Sequence, residues 1–303
     1  MSALSFNEKA RFAGSVRKVL ASHPLISFFV LAFAGSWLFL APMVLGQDGL
    51  GLLPYSVPFG LYVVLFLAAS FTGPTLAALV VTAALEGKPG VKHFLRRYGQ
   101  WRVGLPWYLL MLLGFPAIYF MAAVIWMGVE PLQALVRQWG TFFTVYLAGV
   151  LIFPGLLQWG EEPGWRGFAQ TRLQRQTGAW QASLVVGFLH GLWHLPNHLL
   201  IVGPPAAGPF NLTSFAVNTA LVMVLTLLFT WIFNGGQQSI LVAVLTHASF
   251  NVSQAWLATL LPNQPAQVGY TALIVVAVCA VAVALLTKGK LGYAPSQDQG
   301  AQI

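Results

Sequence analysis

Charge is the scarcest commodity in this sequence. Asp, Glu, Lys and Arg make up 7% of its 303 residues, and only 7 of them are acidic, where a soluble globular chain carries about 25% charged residues. From Gln176 to Thr287 there is no Asp, Glu, Lys or Arg at all. A water-exposed fold of this length needs far more charge to cover its surface, so a soluble globular protein is excluded. Cysteine is limited to Cys279. That rules out an internal disulfide and any thiolate-based zinc or iron–sulfur site within one chain. Lys and Arg number 15 and give a net charge of +8. They sit in short segments beside apolar runs and form no basic stripe, which speaks against a nucleic-acid partner. No fixed-period repeat and no second domain interrupt the pattern.

What is abundant is apolar sequence, at 57% of the chain. A run of about 20 apolar residues crosses a bilayer as a helix. The runs Leu25–Leu45, Phe59–Leu85, Gly104–Gly128, Gln138–Gly160, Trp180–Leu200, Ser214–Phe233, Gln238–Leu261 and Val268–Thr287 predict an all-α, polytopic transmembrane bundle of about eight spans. The last boundaries rest on the turn signals Gly203-Pro-Pro, Asn234-Gly-Gly and Pro262-Asn-Gln-Pro265. The first run is too long for a signal-peptide core and lacks a following cleavage site, so it is read as a retained helix. The organisation expected is a cytoplasmic segment 1–24, polar and either frayed or interfacial, then N-terminal membrane helices 25–137. A membrane core at 138–287 follows, and then a cytoplasmic tail at 288–303. With both termini inside, Lys9, Arg11, Arg17, Lys18, Lys88, Lys92, Arg96, Arg97, Arg102, Arg166, Arg172, Arg175, Lys288 and Lys290 all face the cytoplasm, and only Arg137 faces out. That asymmetry follows the retention of cationic residues on the inner side of a cell membrane. Gly203–Pro209 reads as a stiff outer loop.

Three polar clusters break the apolar pattern. The first is Gln158-Trp-Gly-Glu161-Glu162-Pro-Gly-Trp-Arg166-Gly. Two adjacent carboxylates at the edge of a span cost a few kcal/mol or more each. Glu162 and Arg166 stand four apart and pair on a helix, which turns Glu161 to another side. Gly160, Pro163 and Gly164 weaken helical hydrogen bonding, so the helix is expected to kink or restart at the carboxylates. The second cluster is Phe188-Leu-His190-Gly-Leu-Trp-His194-Leu-Pro-Asn-His198. Its His190 and His194 share a helix face in metal-competent spacing, and Pro196 leaves His198 to local packing. The third is Thr246-His247-Ala-Ser-Phe-Asn251, again with two polar groups four apart. Each cluster alone is compatible with a solvated helix end or with interhelical hydrogen bonding. Together they bring a carboxylate, imidazoles and an amide from three helices.

These motifs resemble those of the CPBP family of intramembrane proteases, which groups CAAX-processing endopeptidases of the Rce1 type with bacteriocin-processing and immunity-associated membrane proteins. The family pattern is Glu-Glu-x3-Arg, then Phe-x3-His, then His-x3-Asn or Asp. It is matched here by Glu161, Glu162 and Arg166, by His194, and by His247 and Asn251 across about 153–254. His190 stands where the pattern has Phe. The resemblance implies a peptidase acting on a membrane-associated or lipid-modified peptide. In that reading Glu161 is the general base, Glu162 and Arg166 are its paired neighbours, His194 holds the water, and His247 and Asn251 donate to the oxyanion. Family members are described both as metalloproteases and as metal-free glutamate proteases. A Zn²⁺ cofactor held by Glu161, His194 and His247, with His190 as a further imidazole, therefore stays open beside the metal-free form. The alternatives are a non-proteolytic scaffold on the same fold and a transporter with a polar pathway. The latter expects broken helices in both halves of the chain, whereas only one break is legible.

Overall fold

A computed structural model of the chain describes residues 6–152, 155–201 and 210–294. Among the described residues there is no strand. The helices are α1 (Phe6–Ser22), α2 (Pro24–Leu45), α3 (Phe59–Ser70), α4 (Leu76–Arg96), α5 (Leu105–Met127), α6 (Glu130–Arg137), α7 (Ala148–Leu151), α8 (Gly155–Glu162), α9 (Thr171–Thr177), α10 (Ala179–Trp193), α11 (Leu195–His198), α12 (Leu212–Gly235), α13 (Ile240–Leu260) and α14 (Ala266–Leu286). Three π-helical stretches, Phe71–Thr75, Phe142–Leu147 and Pro163–Gln170, continue the helical path between some of these. In hydrocarbon every backbone N–H and C=O must be satisfied within the segment, so long apolar runs have only the helix available to them.

Among the described residues seven stretches are long and apolar enough to cross a membrane, and the protein is accordingly a multi-pass membrane protein. They answer to all the expected spans except Trp180–Leu200. That run folds as the 15-residue α10, about 22 Å at 1.5 Å per residue. It turns at His194 into the short α11, because Pro196 cannot continue the ladder. The other boundaries match their signals. Gly87, at φ +64°, breaks α4 where the second run was expected to end. Asn234-Gly235-Gly236 ends α12 and passes into Gln237 and Gln238 at φ +57° and +56°. Asn211 caps α12 by accepting from the Ser214 N–H at 2.9 Å. The loop read at Gly203–Pro209 lies outside the described residues, as do the tail from 295 onward and positions 153–154.

Of the frayed and interfacial readings of the N-terminal segment, the frayed one does not hold from Phe6 onward: the segment forms α1 and packs on α4. The positive φ of Gly87 strips the preceding turn of its next N–H donors. Arg17 Nε fills the gap by donating to the Ala84 carbonyl at 3.0 Å.

Helix α13 is the axis of the bundle: 72% of its span is buried, against 22% for the peripheral α14. One apolar cluster packs α5, α12, α13 and α14 together through residues such as Phe115, Phe229, Trp256 and Val276. A second joins α2, α4, α10 and the Pro163–Gln170 stretch through Phe28, Val81, Trp165 and Val186. Small residues set the distances between backbones, as in membrane helix pairs generally. A Cβ on Gly160 would stand 2.7 Å from the Ser70 carbonyl carbon, and one on Gly187 would stand 2.6 Å from the Met223 Cα. The Glu161-bearing segment is thus pressed against the α3–α4 junction, where Thr75 Oγ1 donates to the Gly160 carbonyl at 2.7 Å. Helix α10 is pressed against α12.

Candidate active site

The helix does not break at the carboxylates. It runs through α8 to Glu162, which keeps helical angles (φ −63°, ψ −32°), and then widens into the π-helical stretch Pro163–Gln170 before continuing as α9. Pro163 has no N–H to donate, and a wider turn absorbs that loss without ending the helix. All eight residues of the π-helical stretch are buried. The consequence for the site is that Glu161, Glu162 and Arg166 stay on one rigid element.

Arg166 and Glu162 pair as their spacing predicts, Nη1 to Oε1 at 2.8 Å, with side chains 2% and 0% exposed. The same Glu162 oxygen meets His247 Nδ1 from α13 at 2.7 Å. Arg166 also donates through Nη2 to Thr226 Oγ1 of α12 at 3.2 Å, and its guanidinium lies over the Phe229 ring at 5.3 Å. One ion pair therefore ties together three helices. Glu161 faces the other way, as expected, and its Oε2 meets His190 Nε2 at 3.2 Å. His190 is sandwiched between Trp165, with ring centres 4.7 Å apart, and His194, 4.9 Å away. His194 Nδ1 lies 3.2 Å from Asn197 Nδ2.

Glu161, Arg166, His190, His194, His247 and Asn251 all line one cavity of about 460 Å³. Its remaining wall is largely apolar, from Leu40 and Phe66 on one side to Leu221, Leu225, Phe250 and Leu273 on the other. Helices α2 and α3 form the first side and α12, α13 and α14 the second. Among the described residues no extended packing joins α2 and α3 to α12 and α14, so the cavity is a cleft between the two sides. A roomier groove of about 680 Å³ beside Lys88 and Lys92 has neither a carboxylate nor an imidazole in its lining. The three motifs thus converge on one cavity. His198 does not reach it and packs on Phe215 at 5.2 Å, the local role expected of it.

Several polar residues of the cavity were not singled out from the sequence: Gln158, Asn197, Asn218 and Gln254. Asn197 had a legible signal, an amide three residues after His194 within a helix end. Its Oδ1 has no partner among the described residues. Turning the amide over would let Oδ1 accept from an Nδ1–H of His194 and leave His194 Nε2 with a free lone pair toward the cavity.

The donor atoms of Glu161, His190 and His194 all lie within 4.8 Å of one another, and their elements suit zinc. The surroundings suit it less well. A zinc-bound imidazole ordinarily donates its second N–H to a carboxylate or carbonyl. In His190 the second nitrogen, Nδ1, instead faces the Arg166 guanidinium at 3.5 Å. The imidazole whose Nδ1 does meet a carboxylate is His247, and it stands outside that trio. Without His190 the trio falls short of the three protein ligands of a catalytic zinc. As arranged, the residues do not fit a zinc site.

The family model described as "Type II CAAX prenyl endopeptidase Rce1-like" matches residues 138–253 and so spans all three clusters. The curated protein CAAX prenyl protease 2 of Methanococcus maripaludis is 24% identical over 229 residues, covering 72% of this chain and 82% of that protein. Region 138–253 of the chain is thus similar to the Rce1-like CAAX prenyl endopeptidases, a group of membrane peptidases.

Proposed function

We propose that the protein is an intramembrane endopeptidase that hydrolyses a peptide bond in a membrane-associated or prenylated substrate, with Glu161 as general base and no metal in the reaction. The observation that carries this reading is the meeting of Glu161, His194, His247 and Asn251 in one largely apolar cavity. Water held between Glu161 and His194 loses a proton to the Glu161 carboxylate as its oxygen bonds to the scissile carbonyl carbon. The resulting oxyanion accepts from the Asn251 amide, and also from His247 Nε2 when that imidazole carries both protons. Glu161 then returns the proton to the leaving nitrogen as the C–N bond breaks. Glu162 and Arg166 position the machinery: their pair fixes His247 through Nδ1 and leaves its Nε2 toward the cavity.

The substrate class rests on two supports. One is the apolar wall of Leu221, Leu225, Phe250 and Leu273, which suits an acyl-like or isoprenoid tail lying in the cleft. The other is the likeness to a protein named CAAX prenyl protease. We read the termini as cytoplasmic from the placement of Lys and Arg, with α10 and α11 together making the eighth crossing. The test is a fragment map of prenylated and unprenylated membrane peptides with purified protein and with Glu161→Gln. Cleavage by the first and none by the second is expected. Equal cleavage by both would sink the assignment.

A further inference from the structure

The motif position that holds His190 is the one the family pattern gives to Phe, and the structure gives this imidazole two polar neighbours of opposite character. Its Nε2 lies 3.2 Å from Glu161 Oε2 and its Nδ1 lies 3.5 Å from Arg166 Nη1. A neutral imidazole carries one N–H and one lone pair. Arginine offers only donors and an ionised carboxylate only acceptors. With Nδ1 turned to the guanidinium and Nε2 to the carboxylate, only the Nε2–H tautomer satisfies both sides. The opposite tautomer would set an N–H against a cation and a lone pair against an anion, in a ring that is 3% exposed. The ring cannot swing away, because Trp165 stacks on one face and His194 on the other.

We propose that His190 is a positioning residue of this chain: its Nε2–H donates to Glu161 Oε2 and holds that carboxylate so that the second oxygen, Oε1, faces the water. The inference rests on the peptidase reading above. It adds a residue that the family pattern does not assign, and it reverses the zinc-ligand role considered for His190 from the sequence. This is the single hydrogen bond that Glu161 makes among the described residues. Without it the carboxylate turns freely about its last torsion. A displacement of about 1 Å in a reacting group can cost on the order of 100-fold in rate.

Two substitutions separate the donor from the ring. His190→Phe keeps an aromatic ring between Trp165 and His194 but removes the N–H. His190→Gln gives up the ring and keeps an N–H donor. The expected result is a fall in kcat of roughly 10- to 100-fold for His190→Phe with KM changed by less than about twofold. Partial recovery of kcat in His190→Gln is expected, with the metal content of purified protein unchanged in both. An unchanged kcat in His190→Phe overturns the proposal, as does equal loss in both variants. So does a wild-type protein that holds one equivalent of zinc which His190→Phe loses. A readout independent of turnover covers the case in which the peptidase reading itself fails. Wild-type protein with ¹⁵N-labelled histidine, in bicelles, should show one imidazole signal in the Nε2–H form that disappears in His190→Phe. If that signal is of the Nδ1–H form, the positioning role is wrong whether or not any peptide is cleaved.

Discussion

Removing Arg166 should cost more than removing any other single side chain of the bundle, and removing its partner with it should recover most of the loss. Glu162 is 0% exposed and Arg166 1%. In Arg166→Met the carboxylate stays buried with His247 as its remaining partner. Breaking a buried pair in this way costs about 3–5 kcal/mol, or roughly 100- to 1,000-fold and more in the unfolding equilibrium at 1.4 kcal/mol per factor of ten. In the double variant Glu162→Gln/Arg166→Met the orphaned charge is gone. The Gln oxygen still accepts from His247 Nδ1, and Thr226 keeps its bond to the Val222 carbonyl at 2.7 Å. Replacing a buried ion pair by neutral groups of similar volume is often neutral, so the double variant should lie within about 1 kcal/mol of wild type. Activity should not return with stability, since His247 then faces a neutral amide and Arg166 no longer lines the cavity. The assay is reversible unfolding in mixed micelles followed by the fluorescence of the 11 tryptophans, beside peptide turnover at matched folded fraction. A single-variant cost below about 1 kcal/mol, or a double variant as unstable as the single, would refute the reasoning that an uncompensated buried charge dominates.

Asn251→Ala should lower kcat by about 100- to 1,000-fold with little change in KM, the size of effect seen when one oxyanion donor is removed; initial rates over a range of peptide concentrations check it. Gly160→Val should unfold or misassemble the α8 region, because even a Cβ there meets Ser70 and Phe71 backbone atoms at 2.7–2.9 Å; overpacking of this kind costs about 1–3 kcal/mol, read as lost protease resistance in the membrane. Chelators should leave turnover by purified protein unchanged and elemental analysis should find less than one equivalent of zinc. Inhibition that zinc alone reverses would contradict the metal-free reading.

Much of the fold was legible because hydrocarbon leaves the chain so few options. Seven of the eight expected spans appear where apolar length and Gly, Asn and Pro punctuation put them. The fifth differs because Pro196 stops α10 after Trp193, a local constraint that a count of apolar residues does not register. The pairing of Glu162 with Arg166 and the divergence of Glu161 followed from helical spacing and survive in the structure. The continuity through Pro163 did not follow. Proline and glycine weaken an α-helix, and whether the chain breaks or widens is decided by what it packs against, here the α3–α4 junction. The contact of His247 with Glu162 was likewise out of reach, since it depends on α8 and α13 lying side by side.

Depth in the membrane marks a polar group as costly without saying what it is for. The hydroxyls inside the bundle show this: Ser36 donates to the Ala69 carbonyl at 2.7 Å and Thr226 to the Val222 carbonyl at 2.7 Å, so each is spent on a neighbouring backbone. The acidic residues divide in the same way. Asp48 accepts from the Val57 N–H at 2.7 Å and Glu86 pairs with Arg172, both at helix ends. Glu130 opens α6, in the favourable first turn of a helix. Among the described residues only Glu161 and Glu162 lie buried in the bundle, and they are not equivalent. Glu162 accepts from Arg166 and His247 through one oxygen and is held from two sides. Glu161 has one partner, His190, and turns toward a cavity that also contains His194 and Asn251. A buried carboxylate carries a desolvation cost that protein partners offset only in part for each: Glu162 Oε2 is sealed in without a partner among the described residues, whereas Glu161 opens onto the cavity. At Glu161 the uncompensated part is what a bound water can recover by donating to the carboxylate, so of the two neighbouring carboxylates the one open to the cavity is the one that the peptidase reading uses.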